Sequence, residues 1–331
     1  MYRFLAAMMV ALWPLQVAAL CEGTDYVEAL SAAERAGIDA VVADTPFATG
    51  LVWQATRDDK TLHVIGTMHI FDPRLGPIVL RTAPLVEAAD LLLVEAGPEE
   101  ETQMTSAMQR DPGLIFITDG PTLPEQLPEE AWQSLADAAN ARQIPAFMAA
   151  KMQPWYLAQA LAIPACTMPD LASGARGLDH MLIDVALDAN VPIAAVEDWD
   201  TLFTIMREGS TEEQLEMLQM GLVPPEVQTS LFVSMLNSYF AEDVVTIWEA
   251  SRLSTKDIPA MDPARADALF ADAEQKILLD RNLAWIPRIM TATAAHDRVV
   301  VAVGAAHLPG EQGVLNLLQS DGWTLTRLRA R

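Results

Sequence analysis

Two of the five histidines follow apolar, strand-like segments with the same spacing. The segment TLHVI is followed by GTMH, which ends at His69, and VVVAV is followed by GAAH, which ends at His307. Glycine permits a sharp backbone turn where a strand ends, and open α/β sheets bind ligands at the carboxyl ends of their strands. The repeated strand–Gly–x–x–His pattern therefore predicts that His69 and His307 lie at one edge of a sheet.

A carboxylate occupies a comparable position, because the apolar run DLLLV, residues 90–94, ends at Glu95. A buried carboxylate without a partner is costly, so Glu95 requires a cation or a metal ion. Two imidazoles and one carboxylate form a ligand set for Zn²⁺, Mn²⁺, Fe²⁺ or Co²⁺. Such a metal supplies hydroxide near neutral pH and polarises a carbonyl. The alternative is structural: the two histidines cap loops, and Glu95 pairs with an arginine.

Further charged residues are candidates for supporting roles. Asp179 could orient a ligand histidine through its second ring nitrogen, or it could complement the dipole at a helix N-terminus. Arg281 could hold a substrate carbonyl or stabilise an oxyanion, or it could form a salt bridge with Glu95 or Glu197. Glu197, like Asp179, could orient ligands or transfer protons. His180 shares one helical face with two aspartates, which predicts a solvent-exposed residue.

Apolar periodicity predicts the elements that position these residues. Strands are predicted at residues 50–56, 61–65, 90–94, 191–196, 299–303 and 323–328. Helices are predicted at residues 83–89, 99–110, 129–143, 177–189 and 311–319, and residues 201–295 are almost wholly helical in pattern. The predicted fold class is α/β or α+β: a central mixed β-sheet with strands from both ends of the chain, flanked by helices, with a large helical section between them. No linker-like composition divides residues 20–331, which predicts a single domain.

The charge balance excludes several classes of function. The chain of 331 residues has 21 Lys+Arg and 45 Asp+Glu, a formal net charge of −24. A nucleic-acid partner is therefore not expected, since phosphates require a basic surface. The segment GAAHLPG lacks the GxGxxG spacing, so no dinucleotide cofactor is predicted there. A hydrophobic content of 51% argues against intrinsic disorder.

The first nineteen residues, MYRFLAAMMVALWPLQVAA, have a positively charged start, an apolar run and small residues at the end. This pattern predicts a secretory signal peptide at residues 1–19. The mature protein is then periplasmic or extracellular, without stable membrane insertion after cleavage. Cys21 and Cys166 are the two cysteines, and both survive that cleavage. In an oxidising compartment they are expected to form a disulfide, the alternative being two buried free thiols.

Taken in order, these motifs resemble the TraB/GumN family, which is related to the TIKI proteins. The resemblance rests on GTMH, LLLVEAG, KMQPW, GLD at residues 177–179, AVED at residues 195–198, the Arg281-Asn282 pair and AVGAAHLPGEQGVLNLLQSDGW. It runs from about residue 50 to the C-terminus. The family pattern has two GxxH motifs and one acidic residue between them, which correspond here to His69, His307 and Glu95. This chain has Glu197-Asp198 where the family usually has Glu-Thr, so the glutamate is kept.

The resemblance implies an exported metal-dependent hydrolase that cleaves peptide bonds. It implies that His69, Glu95 and His307 hold a divalent transition metal, which could be Mn, Co, Zn or Fe. Arg281, Asp179 and Glu197 are then the catalytic candidates. Two alternatives stay open at this point. One is a metal-independent ester or lactone hydrolase that uses the same histidines and glutamate as acid and base, and the other is a non-enzymatic periplasmic binding protein. The partner is a peptide or a small molecule whose identity these patterns do not specify.

Overall fold

The computed structural model describes residues 21, 23–258 and 262–330, and the predicted signal peptide, residues 1–19, lies outside the described residues. The described strands are β1 (Val52–Arg57), β2 (Lys60–Thr67), β3 (Leu91–Val94), β4 (Ile193–Ala195), β5 (Arg298–Gly304) and β6 (Thr324–Leu328). The helices that precede β4 are α1 (Tyr26–Ala29), α2 (Ala32–Asp44), α3 (Leu75–Glu87), α4 (Pro98–Arg110), α5 (Leu123–Gln126), α6 (Glu129–Asn140), α7 (Ala146–Ala149), α8 (Pro154–Ala162), α9 (Met168–Ala172) and α10 (Leu178–Ala189). The helices that follow β4 are α11 (Thr201–Arg207), α12 (Thr211–Met220), α13 (Pro225–Phe240), α14 (Val244–Ser254), α15 (Pro263–Glu274), α16 (Asp280–Ala295) and α17 (Val314–Ser320).

The strands form one sheet in the order β4-β3-β5-β2-β1-β6. The first four strands in that order are parallel, whereas β1 is antiparallel to both β2 and β6. β1 and β2 form a hairpin, and its turn holds Asp58 at a φ of 54°, a left-handed conformation that aspartate tolerates better than most residues. The mixed sheet with strands from both ends of the chain, flanked by helices, confirms the predicted fold class.

Helices cover both faces of the sheet, which is why its parallel strands are continuous apolar runs. Along β5, Val300 and Ala302 belong to one apolar cluster, whereas Val299, Val301 and Val303 belong to another. The first cluster includes side chains of α3, α10 and α13, and the second includes side chains of α16 and α17. This alternation follows from the two-residue period of a β-strand.

The predicted helical section between residues 201 and 295 is present as α11 to α16, with a π-helical segment, Gln275–Leu279, between α15 and α16. α12 contributes to an apolar cluster that also contains side chains of α5 to α8. α14 contributes to a fourth cluster with α1 and α2. Within the helical section, α12 and α14 therefore pack among helices, whereas α13 and α16 pack against the two faces of the sheet.

Two predicted helix boundaries are wrong for local reasons. The helix predicted at residues 83–89 begins at Leu75 because Pro77 stands in its first turn, where a missing N–H breaks no helical hydrogen bond. The helix predicted at residues 311–319 begins at Val314. Gly313 precedes it in an extended conformation as its cap residue.

Cys21 and Cys166 form the predicted disulfide, with their Cα atoms 5.4 Å apart. Cys166 lies in a 3₁₀ turn, Ala165–Thr167, between α8 and α9. The bond joins the first described residue of the chain to this turn. Among residues 21, 23–258 and 262–330, no helix is long and apolar enough to cross a bilayer.

Candidate active site

Three adjacent parallel strands deliver the three residues that the sequence singles out. His69 follows β2, Glu95 follows β3 and His307 lies in a 3₁₀ turn that follows β5. The strands are neighbours in the order β3-β5-β2, and their pairing aligns Thr67 with Gly304. The prediction that the three residues lie at one edge of a sheet is therefore confirmed.

The three side chains converge around Gly304, at the end of the central strand β5. A Cβ atom on Gly304 would lie 3.2 Å from Glu95 Oε1, 3.6 Å from His69 Nε2 and 3.6 Å from His307 Cδ2. A larger residue at position 304 would therefore fill the space between them. His69 Nε2 lies 4.0 Å from Glu95 Oε1.

His307 is held by hydrogen bonds inside the protein, where only 4% of the residue is exposed. Its Nδ1 lies 2.7 Å from Asn282 Oδ1, and the Asn282 amide is oriented because its Nδ2 donates to the Gln312 carbonyl at 2.9 Å. His307 Nδ1 therefore carries the proton, and Nε2 presents a lone pair. Burial lowers the pKa of His307 to about 3, and the positive charge of Arg281 adds to this effect, against the opposing charge of Glu95. The Trp285 ring lies 4.3 Å from the imidazole, centroid to centroid.

His69 lies in a more open position, with 61% of its side chain exposed to the cavity described below. Its Nδ1 lies 3.4 Å from Asp179 Oδ2. The surrounding protein disfavours the charged imidazole, but the contact with Asp179 and the charge of Glu95 outweigh that effect and raise the pKa of His69 to about 9. Asp179 thus lies beside His69, and its role in orienting a ligand histidine stays a prediction.

The prediction that His180 is solvent-exposed is wrong. Its Nε2 lies 2.7 Å from Glu101 Oε1 on α4, and its Nδ1 lies 2.8 Å from Asp179 Oδ2. Glu101 of α4 thus contacts His180, the first residue of that polar face, whereas Asp184 and Asp188 farther along α10 are exposed. The contact with Asp179 raises the pKa of His180, against the opposing effect of burial. Asp179 thus touches both His69 and His180.

Arg281 lies at the centre of the site, and only 4% of it is exposed. Its Nε and Nη2 donate to the two carboxylate oxygens of Glu197 at 2.9 and 2.7 Å. Nη2 also donates to Glu95 Oε2 at 2.6 Å, and Nη1 lies 3.3 Å from His307 Nε2. Nη1 further donates to the carbonyl of Ile277 in the π-helical segment at 3.0 Å. The salt bridge that the sequence offered as one interpretation is therefore present, to both glutamates.

Glu197 holds Arg281 in place and does not face the histidines directly. Its Oε2 also accepts a hydrogen bond from Trp285 Nε1 at 2.9 Å. Burial disfavours the charged form of Arg281, but the hydrogen bonds and negative charges of Glu197 and Glu95 outweigh that effect and raise the pKa of Arg281. Arg281 is thus a permanent buried cation with a fixed orientation.

Both oxygens of Glu95 have partners. Oε1 accepts the Gly304 N–H at 2.7 Å, and Oε2 accepts from Arg281. Burial opposes ionisation of Glu95, but the cationic groups around it outweigh that effect and lower its pKa to about 2. Among the described residues, no three His, Cys, Asp or Glu side chains are already spaced to share one ion. Metal ligation by His69, Glu95 and His307 stays a prediction.

A cavity of about 440 Å³ opens over these groups. One side is polar and contains Thr67, His69, Glu95 and Asp179. The opposite side is apolar and is formed by side chains of α4, α8 and the region of α11. Its volume falls in the range of sites for small molecules or single side chains.

Comparison with known proteins identifies the family of this chain. A sequence profile of the TraB/PrgY/gumN family matches residues 51–327. The chain belongs to the TraB/PrgY/gumN family. The matched range begins just before β1 and ends within β6, so it contains β1 to β5, most of β6 and every residue of the site. The resemblance to this family that the sequence motifs indicate is therefore confirmed.

Two relatives cover most of the chain. The uncharacterized protein YbaP of Escherichia coli (strain K12) is 23% identical over 267 residues, which are 79% of this chain and 89% of the relative. An uncharacterized protein of Treponema pallidum (strain Nichols) is 19% identical over 275 residues, 81% of this chain and 80% of the relative.

Sequence reasoning missed several residues of this site. The sequence assigns no role to Asn282 or Trp285, although Trp285 lies four positions after Arg281 in α16 and therefore on the same helix face. The apolar side of the cavity was also missed. The sequence contains only a weak signal for this apolar side. Met104 and Met108 on α4 are spaced i and i+4, and that spacing is as typical of a helix packed against the core as of a cavity wall.

Proposed function

We propose that this chain is a hydrolase that works with a divalent transition metal held by His69, Glu95 and His307. The observation that carries the proposal is the orientation of the two imidazoles. Each directs Nδ1 to an oxygen acceptor, and each leaves Nε2 directed to Glu95 or to the Arg281 guanidinium beside it. Metal-binding histidines are commonly oriented in this way, through the ring nitrogen that does not contact the ion.

The donor set fits such an ion, because two imidazole nitrogens and a carboxylate suit Mn, Co, Zn and Fe. When bound, the metal supplies a Lewis acid and lowers the pKa of a water molecule toward neutrality. The chain's own groups bind and orient the substrate. The N–H groups of Arg281 are engaged by Glu95, Glu197, the Ile277 carbonyl and His307. Arg281 therefore contributes a fixed positive charge near the developing oxyanion, Asp179 orients His69, and Glu197 positions Arg281.

Amide hydrolysis is the reaction we propose first, since the family resemblance implies a peptide substrate. Water adds to the carbonyl carbon and the C–N bond breaks, which yields a carboxylate and an amine. We propose that this occurs in the periplasm or outside the cell. The signal-peptide pattern of residues 1–19 supports that location, and so does the disulfide, since disulfides are rare in reducing compartments.

A second candidate is hydrolysis of esters or lactones without a metal. The position of Arg281 favours it, because its guanidinium contacts Glu95 Oε2 at 2.6 Å and lies 3.3 Å from His307 Nε2. These are atoms that a metal would need. In this candidate, the histidines and Glu95 act as acid and base, and the positive charge of Arg281 replaces that of a metal near the developing oxyanion.

Metal analysis combined with one variant tests the first candidate. The full mature chain is purified, its metal content is measured, and hydrolysis of a peptide panel and an ester panel is followed with and without chelator. We expect about one metal per chain, loss of activity with chelator, and recovery with Mn, Co, Zn or Fe. His69→Ala should lose activity and metal affinity by at least about a hundredfold while the Tm changes little, because His69 is largely exposed.

The matched control is His296→Ala, since His296 lies outside the site at the end of α16. It should keep both metal and activity. Full activity of metal-free protein on esters would replace the first candidate with the second. No hydrolysis by metal-loaded protein on either panel would contradict both and would leave a binding protein.

A further inference from the structure

The cavity over the site has a wall of large apolar side chains. Eight of its lining side chains are large and apolar: Met104, Met108, Trp155, Tyr156, Trp199, Leu202, Phe203 and Met206. They come from α4, α8 and the region of α11, which are far apart in the sequence. The cavity is continuous with His69 and Glu95, so whatever fills it lies beside the reacting bond.

Phe203 is the centre of this wall. Its ring lies 5.2 Å from the ring of Trp155 at 84°, and 5.9 Å from the ring of Trp199 at 64°, both edge-to-face arrangements. Such pairs hold aromatic rings in defined orientations. The three methionines around them are flexible and polarisable, so they can adapt to apolar groups of different shape. The wall thus offers a fixed aromatic face with an adaptable border.

The charges around the cavity select against anions. Besides Glu197, four carboxylates line the cavity: Glu95, Glu101, Asp179 and Asp198. The positive groups that face them are His69, His180 and Arg281, and Arg281 is shared between Glu95 and Glu197. Asp198 has its own partner outside the cavity, Arg288, at 2.8 Å. A free carboxylate or phosphate on the ligand would therefore be repelled, whereas an uncharged apolar group pays no such cost.

We propose that this cavity is a specificity pocket that binds a large uncharged side chain, aromatic or branched aliphatic, next to the bond that is hydrolysed. The pocket selects peptides with Phe, Trp, Tyr, Leu or Met at that position over those with Asp, Glu or Gly. The hydrolysis in this statement rests on the proposed function, whereas binding of the side chain does not.

Two measurements separate the pocket from the reaction. The first is binding: N-acetyl-phenylalanine amide is titrated into the mature chain and followed by tryptophan fluorescence and by the change in Tm, with N-acetyl-aspartate amide and N-acetyl-glycine amide as comparisons. Because Trp155 and Trp199 line the cavity, occupancy should change the fluorescence. We expect binding of the phenylalanine amide at least about tenfold tighter than that of the other two.

The second measurement uses Phe203→Ala, with Phe147→Ala as the matched control because Phe147 is 75% exposed on α7. Phe203→Ala should weaken binding of N-acetyl-phenylalanine amide by about tenfold or more and should lower kcat/KM for a phenylalanine peptide by a similar factor. It should change kcat/KM for the matching glycine peptide much less. Phe147→Ala should change none of these values.

The outcomes distinguish the two proposals. Selective binding that Phe203→Ala abolishes, without hydrolysis of any peptide, supports the pocket and contradicts the proposed function. If kcat/KM is the same for peptides with different side chains and is unchanged by Phe203→Ala, the proposed function is supported and the specificity pocket is ruled out. Equal binding of the three amides, or no binding of any, also overturns the pocket. If Phe203→Ala lowers the Tm strongly, Phe203→Leu is used in its place, together with Leu202→Ala. Unchanged selectivity for the phenylalanine amide in both variants would then count against the specificity pocket.

Discussion

Arg281 is the residue on which the charge of the site depends. It is buried between Glu95 and Glu197, and it donates to both. Buried ion pairs of this kind give little net stability relative to apolar residues, but removal of one partner leaves charges without compensation. The guanidinium also has a planar set of donors that lysine lacks. The arrangement therefore depends on arginine and not only on positive charge.

Arg281→Lys should destabilise the protein even though it keeps the charge. An ammonium group cannot make the two parallel bonds to Glu197 and reach Glu95 as well, so a buried carboxylate loses a partner. We expect a loss of about 3 kcal/mol in the free energy of unfolding, measured by urea titration. Arg288→Lys is the control, since Arg288 makes an exposed pair with Asp198, and it should change stability by less than about 0.5 kcal/mol. Equal effects of the two substitutions would contradict this account.

Gly177 has a positional role next to His69. A Cβ atom on Gly177 would lie 2.2 Å from the Met68 carbonyl oxygen and 2.4 Å from the His69 carbonyl carbon. These are backbone atoms, which cannot rotate away. The Leu178 N–H also donates to the Met68 carbonyl at 2.8 Å, so the start of α10 and the loop of His69 are held in direct contact.

Gly177→Ala should therefore displace the His69 loop. We expect a loss of about 1–3 kcal/mol in the free energy of unfolding and a fall in hydrolytic activity of at least about tenfold, measured by urea titration and by initial rates. The control is Gly37→Ala in α2, where an added Cβ would meet no atom within 4 Å. That substitution should stabilise the protein by up to about 1 kcal/mol. A stable and fully active Gly177→Ala protein would show that the loop can move without consequence.

At the scale of elements, the short helix α1 is attached to α13 through one carboxylate. Asp25 caps α1 by accepting from the Val27 N–H at 2.9 Å. It also accepts hydrogen bonds from Ser234 and Asn237 on α13. Burial alone would raise the pKa of Asp25, but these donors outweigh it and lower the pKa below its usual value.

The effect of Asp25 on stability should depend on pH. Because the pKa of Asp25 is lower in the folded protein, its contribution is present above the unfolded value of about 3.9 and is lost as pH falls through the folded value. Asp25→Ala should cost about 0.5–2 kcal/mol at pH 7, and the difference from the unmodified chain should narrow below about pH 4. Urea titrations across that range measure it. Asp39→Ala on the exposed surface of α2 should show no such trend, and a difference independent of pH would refute the assignment.

At the scale of the whole molecule, the disulfide connects parts of the chain that are 145 residues apart. A cross-link over so long a loop removes much conformational freedom from the unfolded chain, which the chain-entropy relation puts at about 5 kcal/mol. It also anchors the N-terminal segment that carries α1 and α2.

Replacement of both cysteines, Cys21→Ser with Cys166→Ser, should lower the free energy of unfolding by up to about 5 kcal/mol and the Tm by roughly 10 °C. Calorimetry measures both. Reductant should shift the unmodified chain toward the double variant and should leave the double variant unchanged, which serves as the control. If neither the double substitution nor the reductant changes the Tm, the cross-link constrains the unfolded chain very little.

Local patterns in the sequence determined the strands β2, β3 and β5, the glycines that end them or follow them, and the residues His69, Glu95 and His307 that come next. Such features depend on periodicity and on backbone freedom, which act over a few residues and can be read from the chain directly. The disulfide could be predicted because only two cysteines exist in a chain with a signal-peptide pattern.

Only the tertiary structure decided which groups meet. It placed Arg281 against Glu95, Glu197 and His307, brought α4 over His180, and assembled the apolar wall from three helical regions. These contacts are long-range, and they depend on how whole elements pack against one another and on which charges must be compensated after burial. A spacing of polar residues on α10 cannot reveal that Glu101 of α4 contacts the first of them, so it predicts an exposed His180, although His180 lies in the site.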